Sequence, residues 1–438
     1  MELARDALHV SVSDPVARSM NFLNEIAGRF PQAISLAAGR PYDGFHGPAD
    51  IARYVDIYLA HLADQGVTGT AATRLLMQYG RTNGQLGELI SRLLAVDEGI
   101  EVAPEAIAVT AGCQEAMVIV LRGLCADPLD VVLAAEPCYV GLTGAARLLG
   151  IEVVPVPEGP DGLAPEAVAR VARAVRAEGR RPRALYVVPN FSNPSGISLS
   201  PDARLRLVEV AAEADLLLLE DDPYGLFGMA DDPRPSLKAL DGHGQVIYLG
   251  SFAKSCFPGA RVGFLVADQT VVDGTGRRTL LAEELSAVKS MLTVNTAPTS
   301  QAVIGGMLVS AGCSLRAANQ AKIAFYRENL RTLLDALEKF FPQPARAARG
   351  IRWNTPHGGF FAVVDVPVPA DEDLLLLSAR EYGVLWTPMR FFYQDGGARA
   401  VRLSCSSLEP AEITEGVSRF ARLIDDQTST TTRRELCE

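Results

Sequence analysis

Lys254 is the residue of this sequence best placed for covalent chemistry. One apolar run ends at Leu249 and another begins at Val262, so Lys254 lies in a loop between two predicted buried strands. An amine among apolar residues loses the hydration of its ammonium form, and its pKa should therefore fall. The neutral amine can then attack a carbonyl group, so the position of Lys254 indicates Schiff-base chemistry.

The neighbours of Lys254 strengthen this interpretation. Ser251 precedes the lysine by three residues and Arg261 follows it by seven. A hydroxyl, a guanidinium and an amine together suit a phosphorylated aldehyde. The simpler alternative is a lysine that reaches solvent from a strand end. The remaining lysines occur in polar or helix-periodic stretches and are predicted to be solvated: Lys238, Lys289, Lys322 and Lys339.

A second reactive group follows the apolar run Leu216 to Leu219. Glu220, Asp221 and Asp222 place three carboxylates at the end of a buried strand, where they repel one another and lose hydration. A structural role hardly justifies that cost, so a cationic partner is predicted. A protonated ring nitrogen of a cofactor would serve. A metal ion is the weaker alternative because no His or second acidic cluster completes a coordination sphere, and no metal is predicted.

Short β-type runs alternate with helix-periodic stretches over most of the chain, which predicts an α/β fold. Near-continuous apolar strands separated by helices favour a mostly parallel, seven-stranded sheet covered by helices on both faces. Ligands of such sheets bind beyond the carboxyl ends of the strands. The predicted strands are Ile107 to Thr110, Val131 to Ala134, Val153 to Val156, Ala184 to Val188, Leu216 to Leu219, Val246 to Leu249 and Val262 to Val266.

The pattern changes after Pro298 to long helices and two short strands, which predicts a smaller α+β domain. We expect residues 1–49, with a helical pattern from Val16 to Phe30, to join this small domain. Residues 50–297 should form the large domain and residues 298–424 the small one. The polar residues 425–438 are predicted to be a disordered tail.

Composition limits the class of protein. The 438 residues are 48% hydrophobic, enough for a large core. A net charge of −11 and a pI near 5.1 argue against nucleic-acid and anionic-membrane partners. The seven cysteines lack a metal-ligand spacing, which favours free thiols in a reducing cytosol. Without a signal peptide or an apolar run of about 18 residues, the protein is expected to be cytoplasmic.

The lysine segment resembles a known family. Ser251-Phe252-Ala253-Lys254, followed by Pro258-Gly259 and Arg261-Val262-Gly263, is similar to the lysine motif of the fold-type I, pyridoxal-phosphate-dependent class I/II aminotransferases. Ala253 departs from the Ser or Thr usual there, which removes one hydroxyl contact. The resemblance implies pyridoxal 5′-phosphate as cofactor, the fold-type I large domain and a homodimer with shared active sites.

Other segments match further motifs of the family, and the resemblance assigns them roles. Lys254 is the catalytic residue that holds the cofactor. Tyr139 lies over the pyridine ring and Asp221 pairs with its nitrogen, while Asn193 and Tyr224 contact the phenolic oxygen. The implied phosphate contacts are Gly112, Cys113, Gln114, Ser251, Arg261 and, on the partner subunit's phosphate, Tyr79.

The resemblance also implies how substrates bind. Arg402, in the motif Arg402-Leu403-Ser404, matches the arginine that binds the α-carboxylate, with Asn193 beside it. Gly39 and Arg40 match the segment that closes over the substrate. Within the family, residues Ser19 to Ile26 and Ile34 to Tyr42 are similar to transaminases of dihydroxyphenyl arylglycines in antibiotic biosynthesis. Arg40 and the segment Pro388 to Tyr393 depart from the common pattern, which is consistent with an altered side-chain pocket.

We therefore expect an enzyme that moves an amino group between an arylglycine-type amino acid and a 2-oxo acid. A 2-aminoadipate or general aromatic aminotransferase is the alternative, with Arg40 or Arg390 as the cation for a second carboxylate. A lyase or decarboxylase would use the same cofactor residues. A transcriptional regulator fused to such a domain would need a DNA-binding domain, which the acidic sequence does not indicate.

Overall fold

An eight-stranded mixed sheet is the centre of the large domain in the computed structural model, which describes residues 1–13, 22, 25–230 and 234–435. All seven predicted strands are present, and an eighth, Gly162–Leu163, corrects the predicted number. Two residues are too few to show a pattern in the sequence. The strands are, in spatial order, Ile107–Thr110, Gly263–Val266, Val246–Ser251, Leu217–Asp221, Arg181–Val187, Asp130–Glu136, Glu152–Gly159 and Gly162–Leu163.

The sheet is mostly parallel, as predicted. Among the eight described strands, Gly263–Val266, which is antiparallel to both neighbours, and Gly162–Leu163 break the parallel arrangement. Alternate strand residues pack against helices on opposite faces. Leu219 faces the helix Cys113–Leu124, whereas Leu218 faces the helix Pro201–Glu213. The two covered faces account for the continuous apolar strands.

Several helices begin with proline, whose missing N–H costs nothing at the first helical position. Ser200 also caps the helix Pro201–Glu213 by accepting a hydrogen bond from the Ala203 N–H. The described α-helices are Pro48–Asp64, Gly69–Met77, Gly87–Glu98, Cys113–Leu124, Val140–Leu148, Pro165–Ala177, Pro201–Glu213, Leu237–Leu240, Phe252–Ser255, Leu281–Leu292, Pro298–Ser310, Leu315–Ala318, Gln320–Phe340, Ala345–Ala348, Glu372–Leu377 and Pro410–Glu435.

The small domain is built on an antiparallel sheet. Its strands are, in spatial order, Arg352–Trp353, Phe361–Asp365, Ala400–Ser404 and Thr387–Pro388. The N-terminal segment contributes Ile34–Ser35, which pairs in parallel with Val384–Leu385, and Leu36, which is buried in the same core. Most of the helix predicted over Val16 to Phe30 and of the stretch Ser19 to Ile26 lies outside the described residues, and residues 25–29 are helical.

Two features of the structure bear on the expected domain limits. The helix Pro298–Ser310 packs on the helix Pro48–Asp64 in the core of the large domain, so we propose that the boundary lies nearer the helix Gln320–Phe340. The last helix, Pro410–Glu435, continues past Ile424 into the segment expected to be disordered. There Tyr382 Oη donates a 2.7 Å hydrogen bond to Asp426 Oδ2, which ties the helix to the small domain.

Candidate active site

A cavity of about 400 Å³ lies beyond the carboxyl ends of the parallel strands, between the large and small domains. The carboxyl ends of two strands line it through Asp221 and Ser251, and the segments after two further strands line it through Tyr139 and Asn193. The small domain closes the other side with Arg402. This is the place where the topology of an open α/β sheet predicts a ligand.

Lys254 lines the cavity from the short helix Phe252–Ser255, which corrects the predicted loop. Four residues are too few to show helix periodicity in the sequence. Ser251 caps that helix by accepting a 3.2 Å hydrogen bond from the Ala253 N–H. Lys254 Nζ donates a 2.7 Å hydrogen bond to the Gly39 carbonyl of the N-terminal segment. Burial, aided by the positive charges of Arg402 and Arg261, lowers the pKa of Lys254 to about 8. The amine is therefore partly neutral near physiological pH.

The prediction that the other lysines are solvated is wrong for all but Lys339. Three are buried because an acidic or carbonyl partner from a distant part of the chain satisfies each amine. The pairs are Lys238 with Asp268 at 2.7 Å, Lys289 with Glu115 at 3.4 Å and Lys322 with the Ser255 carbonyl at 2.9 Å. Lys254 differs from these because its amine faces a cavity.

The three carboxylates Glu220, Asp221 and Asp222 have different surroundings. Glu220 and Asp222 bond to the protein backbone and side chains, and Asp221 lines the cavity. Glu220 is fully buried, and its two oxygens accept the Leu237 and Lys238 N–H groups at 2.7 and 2.8 Å. It thus caps the helix Leu237–Leu240. Asp222 accepts hydrogen bonds from Asn190 at 2.8 Å and the Gly225 N–H at 2.9 Å. The view that no structural role justifies these carboxylates is therefore wrong for Glu220 and Asp222.

Asp221 is the member of the trio that lines the cavity, and two neighbouring side chains donate hydrogen bonds to it. Its Oδ2 accepts a 2.6 Å hydrogen bond from Tyr186 Oη, and its Oδ1 accepts a 3.4 Å contact from Cys113 Sγ. Burial raises the pKa of Asp221 to about 6. A buried carboxylate with a fixed orientation is suited to a cationic partner such as a ring N–H.

Tyr186 is a cavity residue that sequence reasoning missed. It lies on the strand Arg181–Val187, next to the strand that carries Asp221, and its side chain is buried. A tyrosine in the otherwise aliphatic run Ala184 to Val188 was the available signal, because a buried phenol needs a hydrogen-bond partner. The identity of that partner required knowing which strands are neighbours.

The start of the helix Cys113–Leu124 lies against Arg261. Gly112 precedes the helix with φ of +84°, and a Cβ there would be 2.5 Å from an Nη of Arg261. The first N–H groups of a helix have no intrahelical acceptor and favour an anion. Cys113, Gln114, Ser251 and Arg261 all line the cavity. Gln114 Nε2 is already engaged, since it donates a 2.7 Å hydrogen bond to the Gly141 carbonyl.

Arg402 projects from the strand Ala400–Ser404 and is buried in the cavity wall. Its Nη2 donates to the Ala37 carbonyl at 2.9 Å and to Thr387 Oγ1 at 3.3 Å, and its Nη1 donates to Asn193 Oδ1. Burial lowers its pKa to about 10. The Nε atom is buried without a partner among the described residues, so the guanidinium retains a donor for an anion.

Two aromatic rings cover the guanidinium of Arg402. Its Cζ lies 4.3 Å from the centre of the Phe361 ring and 4.9 Å from that of Phe392. Cation–π contacts with two rings restrict the position of the group. Sequence reasoning had no signal for this arrangement, because the strand, the loop and the arginine meet only in the folded small domain.

The remaining predicted residues have different surroundings. Tyr139, at the start of the helix Val140–Leu148, lines the cavity with the buried Tyr224, and burial raises the pKa of both phenols. Gly39 packs against the Phe361 ring. Arg40 lines the cavity mouth with an exposed side chain 4.0 Å from Asp43. Tyr79 is 84% exposed and does not line the cavity within this chain.

Over the described ranges, no group of three His, Cys, Asp or Glu side chains is placed to hold a metal ion. In the same part of the chain, no helix is both long and apolar enough to cross a membrane.

An amine with a lowered pKa, a buried carboxylate and a helix start whose N–H groups favour an anion share one cavity. The cavity lies between the carboxyl ends of the strands and the small domain. These groups fit an aldehyde, a ring N–H and a phosphate, and together with the fold they define a pyridoxal-phosphate-dependent transaminase of fold type I. The family model for aminotransferase class I and II matches residues 55–420. The chain belongs to this family, and its cofactor is pyridoxal 5′-phosphate.

Individual relatives agree with this classification. An (S)-3,5-dihydroxyphenylglycine transaminase from Amycolatopsis orientalis is 48% identical over 97% of this chain and 95% of the relative. A kynurenine aminotransferase from Pyrococcus horikoshii, in complex with PMP, has a TM-score of 0.78 at 26% identity and covers 97% of both chains. An alpha-aminoadipate aminotransferase from Thermus thermophilus has a TM-score of 0.78 at 28% identity, covering 98% of this chain and 100% of that one.

Proposed function

We propose that the enzyme moves the amino group of an arylglycine-type amino acid, with (S)-3,5-dihydroxyphenylglycine as the first candidate, to or from a 2-oxo acid. Lys254, Asp221 and Arg402 line the same cavity, and this observation supports transamination as the reaction. The 48% identity to a transaminase of that amino acid supports the substrate. A role in antibiotic biosynthesis and a cytoplasmic location follow as parts of the same proposal.

We assign the cofactor contacts as the sequence predicts. Asp221 pairs with the ring nitrogen, and Tyr139 covers the ring. Asn193 and Tyr224 contact the phenolic oxygen. The phosphate is held by Gly112, Cys113, Gln114, Ser251 and Arg261, and in a homodimer by Tyr79 of the other copy. The high exposure of Tyr79 in the single chain is compatible with contact to a second copy.

When bound, pyridoxal phosphate supplies an aldehyde for the amino group and a ring that withdraws electrons from the substrate Cα. Lys254 would hold the cofactor through Nζ, and the same amine would move the proton at the substrate Cα. Asp221, held by Tyr186, would keep the ring nitrogen protonated. Arg402 binds the α-carboxylate and so fixes which bond at Cα is broken.

The cavity walls favour a flat side chain. Val140, Phe361 and Phe392 supply apolar and aromatic surface, and Arg40 supplies donors at the mouth. Arg390 is less suited to a second carboxylate because it already forms an ion pair with Glu372. A 2-aminoadipate substrate would therefore depend on Arg40. A site that binds phenolic hydroxyls should discriminate against analogues that lack them.

Relative kcat/KM values for (S)-3,5-dihydroxyphenylglycine, phenylglycine, tyrosine and 2-aminoadipate test the proposal. We expect the dihydroxylated arylglycine to react fastest, and phenylglycine to react at least about 10-fold more slowly because the hydroxyl partners are left unpaired. Faster turnover of 2-aminoadipate than of every aromatic substrate would overturn the arylglycine proposal. Arg40→Ala would then identify the partner of the second carboxylate. Release of CO₂ or of the side chain, instead of a 2-oxo acid, would indicate a lyase.

A further inference from the structure

Glu115 lies directly behind the turn that we assign to the cofactor phosphate. It is the third residue of the helix Cys113–Leu124, and its Oε2 accepts a 2.6 Å hydrogen bond from the Ala111 N–H. The side chain thus reaches back past Gly112 and fixes the turn. A carboxylate here also brings a negative charge close to a phosphate dianion, which opposes binding.

Lys289 meets that carboxylate from the helix Leu281–Leu292. The side chain is fully buried, and Nζ lies 3.4 Å from each Glu115 oxygen and 2.7 Å from Thr293 Oγ1. Thr293 Oγ1 in turn donates a 2.5 Å hydrogen bond to Glu115 Oε1. Removing two charges from water is expensive, so a buried pair at this position calls for a reason beyond packing.

We propose that Glu115 and Lys289 are positioning residues for the cofactor phosphate. Glu115 holds the Ala111-Gly112 turn in the shape that exposes the helix N–H groups, and Lys289 cancels the charge that Glu115 brings to the site. The inference rests on the assignment of Gly112, Cys113 and Gln114 to the phosphate in the proposed function. Substitution of either residue should therefore change the affinity for ligands that carry a phosphate and leave the affinity for other ligands unchanged.

Titration of the full-length, cofactor-free chain with pyridoxal phosphate and with pyridoxal tests this role. Lys289→Met leaves the Glu115 anion uncompensated. It should weaken the binding of pyridoxal phosphate about 10-fold, the size expected of one partly screened charge. The binding of pyridoxal should not change. Glu115→Gln keeps an acceptor for the Ala111 N–H and removes the anion, so pyridoxal phosphate should bind as tightly as before or more tightly. The double variant should restore the original affinity.

Lys238→Met is the matched control, because Lys238 is also a buried lysine with an acidic partner, Asp268, but does not line the cavity. It should leave both affinities unchanged. Equal weakening of pyridoxal phosphate and pyridoxal by Lys289→Met would overturn the inference and show that the pair only supports the fold. If Lys289→Met does not fold, weaker binding of pyridoxal phosphate to Glu115→Gln overturns it.

Gly112→Ala separates this inference from the function on which it rests. The added Cβ meets Arg261 at a φ that disfavours alanine, so pyridoxal phosphate binding should fall. If it falls while the Lys289 variants bind normally, only the role of the pair is wrong. If Gly112→Ala binds pyridoxal phosphate normally, the phosphate assignment itself is wrong.

Discussion

Tyr186 donates a 2.6 Å hydrogen bond to Oδ2 of Asp221 from the neighbouring strand. The phenol and the carboxylate are both buried, so loss of this bond takes a donor from a buried carboxylate oxygen. Asp221 is the proposed partner of the ring nitrogen. Its orientation and charge thus depend on Tyr186, which lies outside the family motifs found in the sequence.

Tyr186→Phe should lower kcat by about 10-fold, because a hydrogen bond to a buried charged group stabilises the Asp221 anion. The pH titration of the cofactor absorption band should shift as well, which loss of packing alone would not cause. An unchanged band titration with normal kcat would show that the hydrogen bond has no part in the reaction.

Asp221→Asn should slow the proton transfer at Cα by at least about 100-fold, because the ring nitrogen loses its anionic partner. Asp222→Asn is the natural control, since Asp222 serves Asn190 and the Gly225 N–H. It should reduce stability by about 1–2 kcal/mol and affect kcat much less. Single-turnover measurements on both variants decide this, and equal kinetic losses would mean that the wrong carboxylate has been assigned.

Lys254→Ala should abolish transamination while pyridoxal phosphate still binds more weakly through the other contacts. Lys339→Ala, which removes an exposed lysine of the small domain, should behave like the unmodified enzyme. Near-normal turnover by Lys254→Ala in a steady-state assay would remove the lysine from its proposed role.

The attachment of pyridoxal phosphate to Lys254 should depend on pH in a particular way. The pKa of the amine is lowered from 10.5 to about 8, and only the neutral amine attacks a carbonyl group. The rate should therefore rise as the pH increases to about 8 and then level off. Stopped-flow absorbance on the cofactor-free chain measures this rate, with butylamine as the control amine. A rate that rises as steeply as that of butylamine up to pH 10 would contradict a lowered pKa.

The aromatic rings on Arg402 should matter for carboxylate binding. Phe361→Leu and Phe392→Leu should raise KM for amino acids by about 10-fold with little change in kcat, since each removes a desolvated cation–π contact. Phe391→Leu is the control, because Phe391 lines a neighbouring cavity and not this one. Benzylamine, which lacks a carboxylate, should react with all three variants alike. A parallel loss with benzylamine would indicate general damage to the site.

The sequence predicts the strands and the residues that follow their ends because these features are local. Apolar continuity locates a buried strand such as Val246–Ser251, and a glycine before a helix locates the turn at Gly112. The strand Gly162–Leu163 is too short for such a pattern. Helix periodicity likewise identifies a buried face but does not show that Lys289 lies on it, because its partner Glu115 is 174 residues away.

The acidic trio shows the same limit at the site. The sequence indicates that Glu220, Asp221 and Asp222 end a buried strand, but not which atoms they meet. The cap of Glu220 on the helix Leu237–Leu240 depends on where that helix lies in the fold, 17 residues further along the chain. Burial alone therefore overstated the number of carboxylates that need a ligand.

The burial of Lys238, Lys289 and Lys322, together with the placement of Lys254 inside the cavity, leaves Lys339 as the lysine whose side chain is open to solvent. Reagents that acylate amines should consequently modify the lysines of the native protein very unevenly. Coupling to a surface or a dye through lysine would attach the molecule by the end of the helix Gln320–Phe340, and heating would make the other four amines reactive as the chain unfolds.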